Sequence, residues 1–396
     1  MAHPHTGRNT SEIAEVGAEF TRREIVAHLQ QWEDDGMLPR ELHTAAAKQG
    51  IIGVGFPEEV GGQGGTILDT TDLAEGMFAA GASSGLMAGL FTHGIALPHI
   101  VAAAMKDGPR AGQAADLIDR FVRPTLAGET IGSLAVTEPG GGSDVAGIRT
   151  SAVRDGEHYV VNGAKTFITS GVRADFVTTA VRTGGPGHAG VSLLVVERGT
   201  PGFTVDRSLR KMGWHCSDTA ELSYVDVRVP VANLVGAENS GFYQIAEQFV
   251  VERIALATHA YGIAGRALEL TAQYCRERDT FGKPLITNQV VRHKLVEMRR
   301  HVEIARTYAR SVAERHLLHL QGEGDSVIAE ACLAKETACN AATYVCDQAV
   351  QLHGGAGYMH GTEVERHYRD ARILPIGGGA TEVLADLAAK LLGYAS

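Results

Sequence analysis

Three hydrophobic patterns follow one another along the chain. In residues 11–32 the apolar positions Ile13, Val16, Phe20, Ile25, Leu29 and Trp32 recur at helical spacing, which predicts an amphipathic helix. Leu38–Gln49 reads as a second helix stopped by Gly50. Residues 51–65 (I-I-G-V-G-F-P-E-E-V-G-G-Q-G-G) read as a loop, and Ala- and Gly-rich segments at 68–80, 84–106 and 113–127 as further helices. Near residue 130 the period drops to two. Short alternating or β-branched runs at His158–Asn162, Phe176–Val181, Val191–Val196, Phe203–Asp206 and Glu221–Val227 predict strands, with turns at Asp155-Gly156, Asn162-Gly163 and Gly184–Gly187. Helical spacing returns at 242–276, 288–319, 325–350, 363–372 and 381–393. This order predicts an α+β chain of three domains. An N-terminal all-helical domain covers 1–129, a middle, mostly antiparallel β domain 130–240, and a C-terminal bundle of four long helices 241–396.

Composition narrows the function classes. A length of 396 residues can hold two or three cores. The formal net charge of −10, with no Lys/Arg block, argues against broad nucleic-acid binding. No apolar run is long enough for a membrane span, and the first ten residues lack the features of a secretory or transit leader. The five cysteines show no C-x-x-C spacing, and a reducing cytoplasm is the expected location. Cys332, Cys339 and Cys346 fall seven apart, on one helical face, and read as buried small apolar residues. His353, His360 and His367 also recur every seven, and His316 and His319 share a face. Neither group has carboxylates at ligand spacing, so no metal site is expected.

The stretch Ile131–Gly147, I-G-S-L-A-V-T-E-P-G-G-G-S-D-V-A-G, starts as an alternating strand and breaks at Pro139 and Gly140–Gly142. Thr137 and Ser143 flank that loop with hydroxyl donors. Such a loop can hold a flat, polar-edged ring or a phosphate, or it can be an ordinary tight turn.

A-V-T-E-P-G-G-G-S-D-V-A-G resembles the first signature of the acyl-CoA dehydrogenase family, flavoenzymes that desaturate acyl-CoA thioesters. Further matches follow in order at Lys211–Pro230, Arg278–Pro284 (R-D-T-F-G-K-P), Gln351–Gly357 (Q-L-H-G-G-A-G) and Tyr368–Glu382 (Y-R-D-A-R-I-L-P-I-G-G-G-A-T-E). The resemblance implies the same helix–sheet–bundle order and the cofactor FAD. By position, Leu134, Val136, Thr137, Gly142 and Ser143 line the flavin, Val136 and Thr137 bonding its pyrimidine edge. Phe167, Ile168 and Thr169 match the segment in which an aromatic packs on the ring and a threonine reaches it. Plain core packing is the other reading of Phe167.

Arg278, Thr280 and Phe281 match residues that reach the FAD of a neighbouring subunit. Gln289 matches a further cofactor-facing position, and Gln351, His353, Gly354 and Gly355 match the loop over the adenosine diphosphate half. Arg278 could equally be a solvated helix-end charge. The carry-over implies an oligomer, expected as a homotetramer, passing electrons from an acyl-CoA substrate to an electron-transferring flavoprotein. β-Oxidation of fatty acids is the matching metabolic setting.

Many relatives place the catalytic glutamate just before a Gly-Thr after Y-R-D-A-x-I, a position held here by Gly378. In isovaleryl- and long-chain-type branches it sits on the first bundle helix, within an E-R pair. The match here is Glu252, in F-V-V-E-R-I-A-L-A. A charge in that apolar run is costly unless paired or functional, and burial would raise its basicity. The alternative is a structural ion pair with Arg253 or another bundle charge. Gly378 is expected to contribute its backbone N–H to the thioester oxygen, and Ser143, Arg253 and Gly379 to line the substrate. Ala380 stands where a threonine is usual, leaving Thr381 and Glu382 as the cofactor-side residues there. An oxidase using oxygen, or a non-catalytic acyl-CoA-binding subunit, would share these motifs. Gly377–Gly379 implies a roomy floor near the thioester, suited to branched, long or cyclic chains.

Overall fold

Side-chain oxygens start the first helices. Ser11 caps α1 (Glu12–Phe20), its hydroxyl accepting from the Ala14 N–H at 3.3 Å. This computed structural model describes residues 11–107 and 112–395, so the leader reading of the first ten residues lies outside it. The single helix expected over 11–32 is interrupted: a π-turn at Thr21–Ile25 separates α1 from α2 (Leu29–Asp35). There the buried Thr21 hydroxyl donates to Gly17 O at 2.9 Å, competing with the regular helix ladder.

After α3 (Arg40–Lys48), a capping box of Thr66 and Asp69 opens α4 (Ile67–Ala79). The helix expected over 84–106 is three pieces: α5 (Ser84–Leu90), α6 (His93–Ala96) and α7 (Pro98–Asp107). Pro98 has no N–H to continue the ladder, which accounts for the last break. The segment expected at 113–127 is α8 (Gly112–Leu117), a π-turn at Ile118–Val122, and α9 (Arg123–Leu126).

The middle domain is one seven-stranded sheet. Its strands are β1 (Gly132–Ala135), β2 (Ser151–Asp155), β3 (His158–Thr169), β4 (Phe176–Arg182), β5 (Val191–Glu197), β6 (Phe203–Ser208) and β7 (Thr219–Pro230). They run in the order β1-β4-β2-β3-β7-β6, with β5 on β4; β4 meets β1 and β2 in parallel and the other pairs are antiparallel. β4 and β5 are buried almost throughout, which suits their unbroken apolar runs. Asn162-Gly163 is not the turn that the dipeptide predicts. It lies inside β3 as a bulge, with Gly163 at φ +152°, because a Cβ there would sit 2.5 Å from the Thr150 hydroxyl.

Helix α10 (Gly241–Glu277) runs for 37 residues, α11 (Gln289–Leu320) for 32 and α12 (Ile328–His353) for 26. The fourth bundle helix is shorter than expected: α15 (Thr381–Leu391) packs on α12, preceded by α13 (Gly355–Tyr358) and α14 (Glu363–Ala371). Cys332, Cys339 and Cys346 are all buried on α12. None of the helices is long and apolar enough to cross a membrane, among the described residues. One large apolar core joins the N-terminal helices to the bundle, and a second fills the β domain around Tyr159, Val161, Leu222 and Tyr224.

Polar contacts fix the domains against each other. The buried Arg173 guanidinium meets Asp218 at 2.6 Å and also donates to the carbonyls of Leu38 (3.0 Å) and Gly89 (3.2 Å) in the N-terminal domain. Asp370, at the end of α14, accepts from Gly85 N–H (3.1 Å) and Trp214 N–H (2.7 Å), one from each of the other domains. Breaking a buried pair strands the remaining charge, so Arg173→Leu should destabilise the protein by about 3–5 kcal/mol. Thermal and urea unfolding of that variant check this, and a loss below about 1 kcal/mol would put the clamp elsewhere.

Candidate active site

Glu252 sits on α10 among Phe249, Val250, Val251 and Ile254. Among the described residues its carboxylate accepts no hydrogen bond and forms no ion pair, so the structural-pair alternative lacks its contact. Burial pushes the carboxyl above the usual glutamate range, with Arg253 and Lys335 pulling it partly back. Arg253 is buried with its guanidinium 5.4 Å over the Phe249 ring, and its Nε has no partner.

Gly378 faces this carboxylate. A Cβ built on it would lie 3.4 Å from Glu252 Oε1 and 2.3 Å from Leu256 Cδ1, and its φ is +64°. Glu252 and Leu256 are one turn apart on the same face of α10, so the glycine's Cα backs directly onto that face. The loop is tied by Ile376 N–H and Gly377 N–H to Ile373 O (2.9 and 2.8 Å) and by Thr381 N–H to Pro375 O (3.1 Å). The N–H groups of Gly378 and Gly379 donate to nothing among the described residues. Lys335, fully buried on α12, donates through Nζ to Gly379 O at 2.6 Å. A glycine with an unpaired N–H and an unpaired carboxylate are therefore neighbours among the described residues. That arrangement can polarise a carbonyl and remove a proton from the neighbouring carbon.

The β-domain residues gather independently. Thr166 N–H donates to Thr137 O (3.0 Å), Lys165 Nζ to Val136 O (2.9 Å), and Ser133 Oγ to Thr169 O (2.6 Å). Lys165 is fully buried, also pairs with Glu138 at 2.9 Å, and is pushed down to about 8 by burial. These bonds hold Leu134–Thr137 beside the end of β3. There β3 bulges between Lys165 and Ile168, throwing Phe167 out into solvent at φ +61°. Phe167 is thus not a core residue, and a strained, exposed aromatic points to a ligand role.

The Ile168 side chain is buried in the β core, so its backbone is the part that would meet a cofactor. The hydroxyls of Thr137, Ser143 and Thr169 make no hydrogen bond among the described residues. A Cβ on Gly142 would come 3.4 Å from Thr137 Cγ2, so the glycine keeps the loop close to that threonine. Free hydroxyls, a glycine loop and a projecting ring suit a flat heterocycle with a polar rim.

A third group lies at one end of the bundle. Arg278 caps α10, its N–H donating to Tyr274 O at 2.8 Å, and starts the hairpin of β8 (Asp279–Thr280) and β9 (Lys283–Pro284). Phe281, at the hairpin tip, is fully exposed with φ +53°. The Arg278 guanidinium has no partner among the described residues, and the buried Thr280 hydroxyl has none either. The His353 ring stacks on Tyr274 at 4.3 Å, beside a groove of about 250 Å³. Gln289, Gln351, Gly354 and Gly355 are exposed nearby in sequence, and Glu382 is exposed in the first turn of α15, after the half-buried Thr381. No hydrogen bond, ion pair or ring contact joins this group to Leu134–Ser143 or Phe167–Thr169 within the described chain. Sequence reasoning passed over Lys165, Lys335 and Leu256. The two lysines carried the same signal as Glu252, a charge in an apolar run.

Comparison with known proteins places these features. Family models described as acyl-CoA dehydrogenase N-terminal, middle and C-terminal domains match residues 8–107, 133–227 and 239–393. The chain is 37% identical to the mitochondrial long-chain specific acyl-CoA dehydrogenase of Rattus norvegicus, over 94% of this chain and 83% of the relative. A crystal structure named as an acyl-CoA dehydrogenase from Mycobacterium smegmatis is 57% identical, with a TM-score of 0.92 and 97% of each chain covered. Butyryl-CoA dehydrogenase from Megasphaera elsdenii is 30% identical, with a TM-score of 0.87 over 97% of this chain and 99% of that one.

Contact across the Gly378–α10 face predicts a coupled steric effect. Gly378→Ala should cost about 1–3 kcal/mol through its backbone conformation and its collision with Leu256. Leu256→Ala in the same chain should remove part of that penalty, leaving a favourable coupling above about 0.5 kcal/mol in a double-mutant cycle of melting free energies. Strict additivity would mean that the two positions do not touch.

Proposed function

The chain belongs to the acyl-CoA dehydrogenase family, and from that membership we propose that it oxidises an acyl-CoA thioester to the trans-2-enoyl-CoA with Glu252 as the base. The observation that carries this reading is the Glu252 carboxylate, unpaired among the described residues, against the backbone of Gly378. FAD, when bound, supplies a two-electron acceptor whose N5 takes the β-hydride.

Glu252 removes the α-proton. Its buried setting favours that step, because desolvation raises the affinity of the carboxylate for a proton. Gly378 N–H donates to the thioester oxygen and so stabilises the negative charge that develops as the α-proton leaves. A side chain at 378 would require Leu256 to move, because its first carbon would lie 2.3 Å from Leu256 Cδ1. Ser143, Arg253 and Gly379 complete the substrate side. Arg253 acts there through its charge rather than by direct reach, since it is buried.

Phe167, Leu134, Val136, Thr137, Gly142 and Thr169, with the backbone of Ile168, would hold the flavin ring. Arg278, Thr280, Phe281, Gln289, Gln351, His353, Gly354, Gly355, Thr381 and Glu382 would hold the rest of FAD. The separation of these groups within one chain supports a site shared between subunits, which we take to be those of a homotetramer. The exposed Phe281 hairpin supports the same reading. An electron-transferring flavoprotein is the proposed acceptor, the cytoplasm the proposed compartment, and β-oxidation the proposed setting.

Glu252→Gln should slow anaerobic bleaching by acyl-CoA roughly 10²–10⁴-fold, and near-normal bleaching would remove Glu252 as base. Because the base works deprotonated and its pKa is raised, the wild-type reduction rate should climb with pH and level off above an inflection higher than the ordinary glutamate value of 4.5. An inflection at or below 4.5 would contradict that assignment. Turnover with dye or flavoprotein should greatly exceed turnover with oxygen; the reverse ratio would identify an oxidase.

A further inference from the structure

The loop that carries Gly378 is short of internal support. Gly378 and Gly379 make no backbone hydrogen bond among the described residues, and their one side-chain hydrogen bond there is Lys335 Nζ to Gly379 O, at 2.6 Å. Lys335 reaches this carbonyl from the middle of α12, in the run A-C-L-A-K-E-T-A-C, and its side chain is fully buried. Burial of a lysine is costly, and a single carbonyl satisfies only one of its three donors. From α10, Glu252 and Arg253 face it; from its own helix, Glu336, Cys332 and Cys339 do. Burial pushes the Cys339 thiol up to about 12, so it brings no negative charge near neutrality. The Glu336 Oε1 is buried without a partner.

We propose that Lys335 is a positioning residue for the reaction: by holding the Gly379 carbonyl it fixes the glycine loop that offers the Gly378 N–H to the thioester oxygen. The inference rests on the reading of Glu252 and Gly378 given above. The Gly379 carbonyl lies two peptides along the chain from the Gly378 N–H, so pinning it limits how far the glycine loop can turn. The same cation favours the ionised form of Glu252, after the effects of burial and Arg253. Holding the donor and adjusting the base from one buried point keeps the two groups in register, and errors of an ångström in such a pair cost much of the rate.

The experiment compares purified FAD-loaded wild type with Lys335→Met, Lys335→Gln, Lys335→Arg and Glu252→Gln. Backbone hydrogen exchange of the peptide spanning 373–384 reads the loop. The pH dependence of anaerobic reduction by acyl-CoA reads the base. Lys335→Met should speed exchange of the hydrogen-bonded Gly377 and Thr381 amides by about 10-fold. It should lower kcat roughly 10²-fold with KM little changed, and raise the Glu252 inflection, because a neighbouring cation has been lost. Lys335→Arg should restore the inflection.

Should the methionine variant fail to fold, Lys335→Gln keeps a donor without the charge and should show the same upward inflection. Unmoved inflection and unmoved loop exchange in a folded, uncharged variant, beside a slow Glu252→Gln enzyme, would overturn the role of Lys335 alone. A fast Glu252→Gln enzyme would instead overturn the base assignment beneath it, and with it the charge-tuning role.

Discussion

Two backbone N–H groups from different domains end on one carboxylate, that of Asp370. Gly85 brings α5 to it and Trp214 brings the middle domain, while Asp370 itself closes α14. The contact has no room for error, since a Cβ on Gly85 would meet Trp214 Cα at 2.7 Å. Around it, the Trp214 indole donates to Ser84 Oγ (3.0 Å), which meets His259 of α10 at 3.1 Å. The four-way junction fixes the helix bearing Glu252 against the loop that begins seven residues after Asp370. Glu33 lies close by, and burial together with that second carboxylate pushes Asp370 up to about 7. Mutual repulsion of two buried acids is tolerable because backbone N–H groups and the Arg369 guanidinium surround them.

Given that frame, the choice of glycine at 378 follows from volume. The Leu256 side chain occupies the space that any side chain at 378 would enter, and the carboxylate of Glu252 fills the next position on the same helical face. A carboxylate on a 37-residue helix is positioned by the whole bundle, whereas one on the loop would depend on the loop's few hydrogen bonds. The loop is thereby free to offer main-chain donors, and a positive φ at Gly378 is the conformation it adopts.

Much of this could be read from residues alone, and the limits have physical causes. The long helices α10, α11 and α12 match their expected ends within a few residues because tens of apolar positions vote on one period. The breaks after Phe20 and Leu90 were not legible, since they turn on single hydroxyl-to-carbonyl bonds such as Thr21 to Gly17. Asn162-Gly163 misled because a dipeptide does not reveal that Thr150 lies against its Cα; a hairpin turn and a bulge ask for the same residue. Glu252 stood out as a charge in an apolar run, but its meeting with Gly378 needed the resemblance, since 126 residues separate them.

The basicity of Glu252 is the balance of two opposed effects. Burial raises the affinity of the carboxyl for a proton. Two cations with no carboxylate partner in contact, Arg253 and Lys335, would in isolation hold it ionised and weakly basic. Placing both cations nearby without a direct hydrogen bond to the carboxylate leaves the desolvation effect dominant but moderated. That intermediate state is the one a general base needs, since proton transfer is fastest when the base is ionised at the working pH yet still holds a proton firmly. A direct Arg253–Glu252 bridge would have tied up the carboxylate in a structural pair, and the placement of Arg253 over Phe249 is what prevents it.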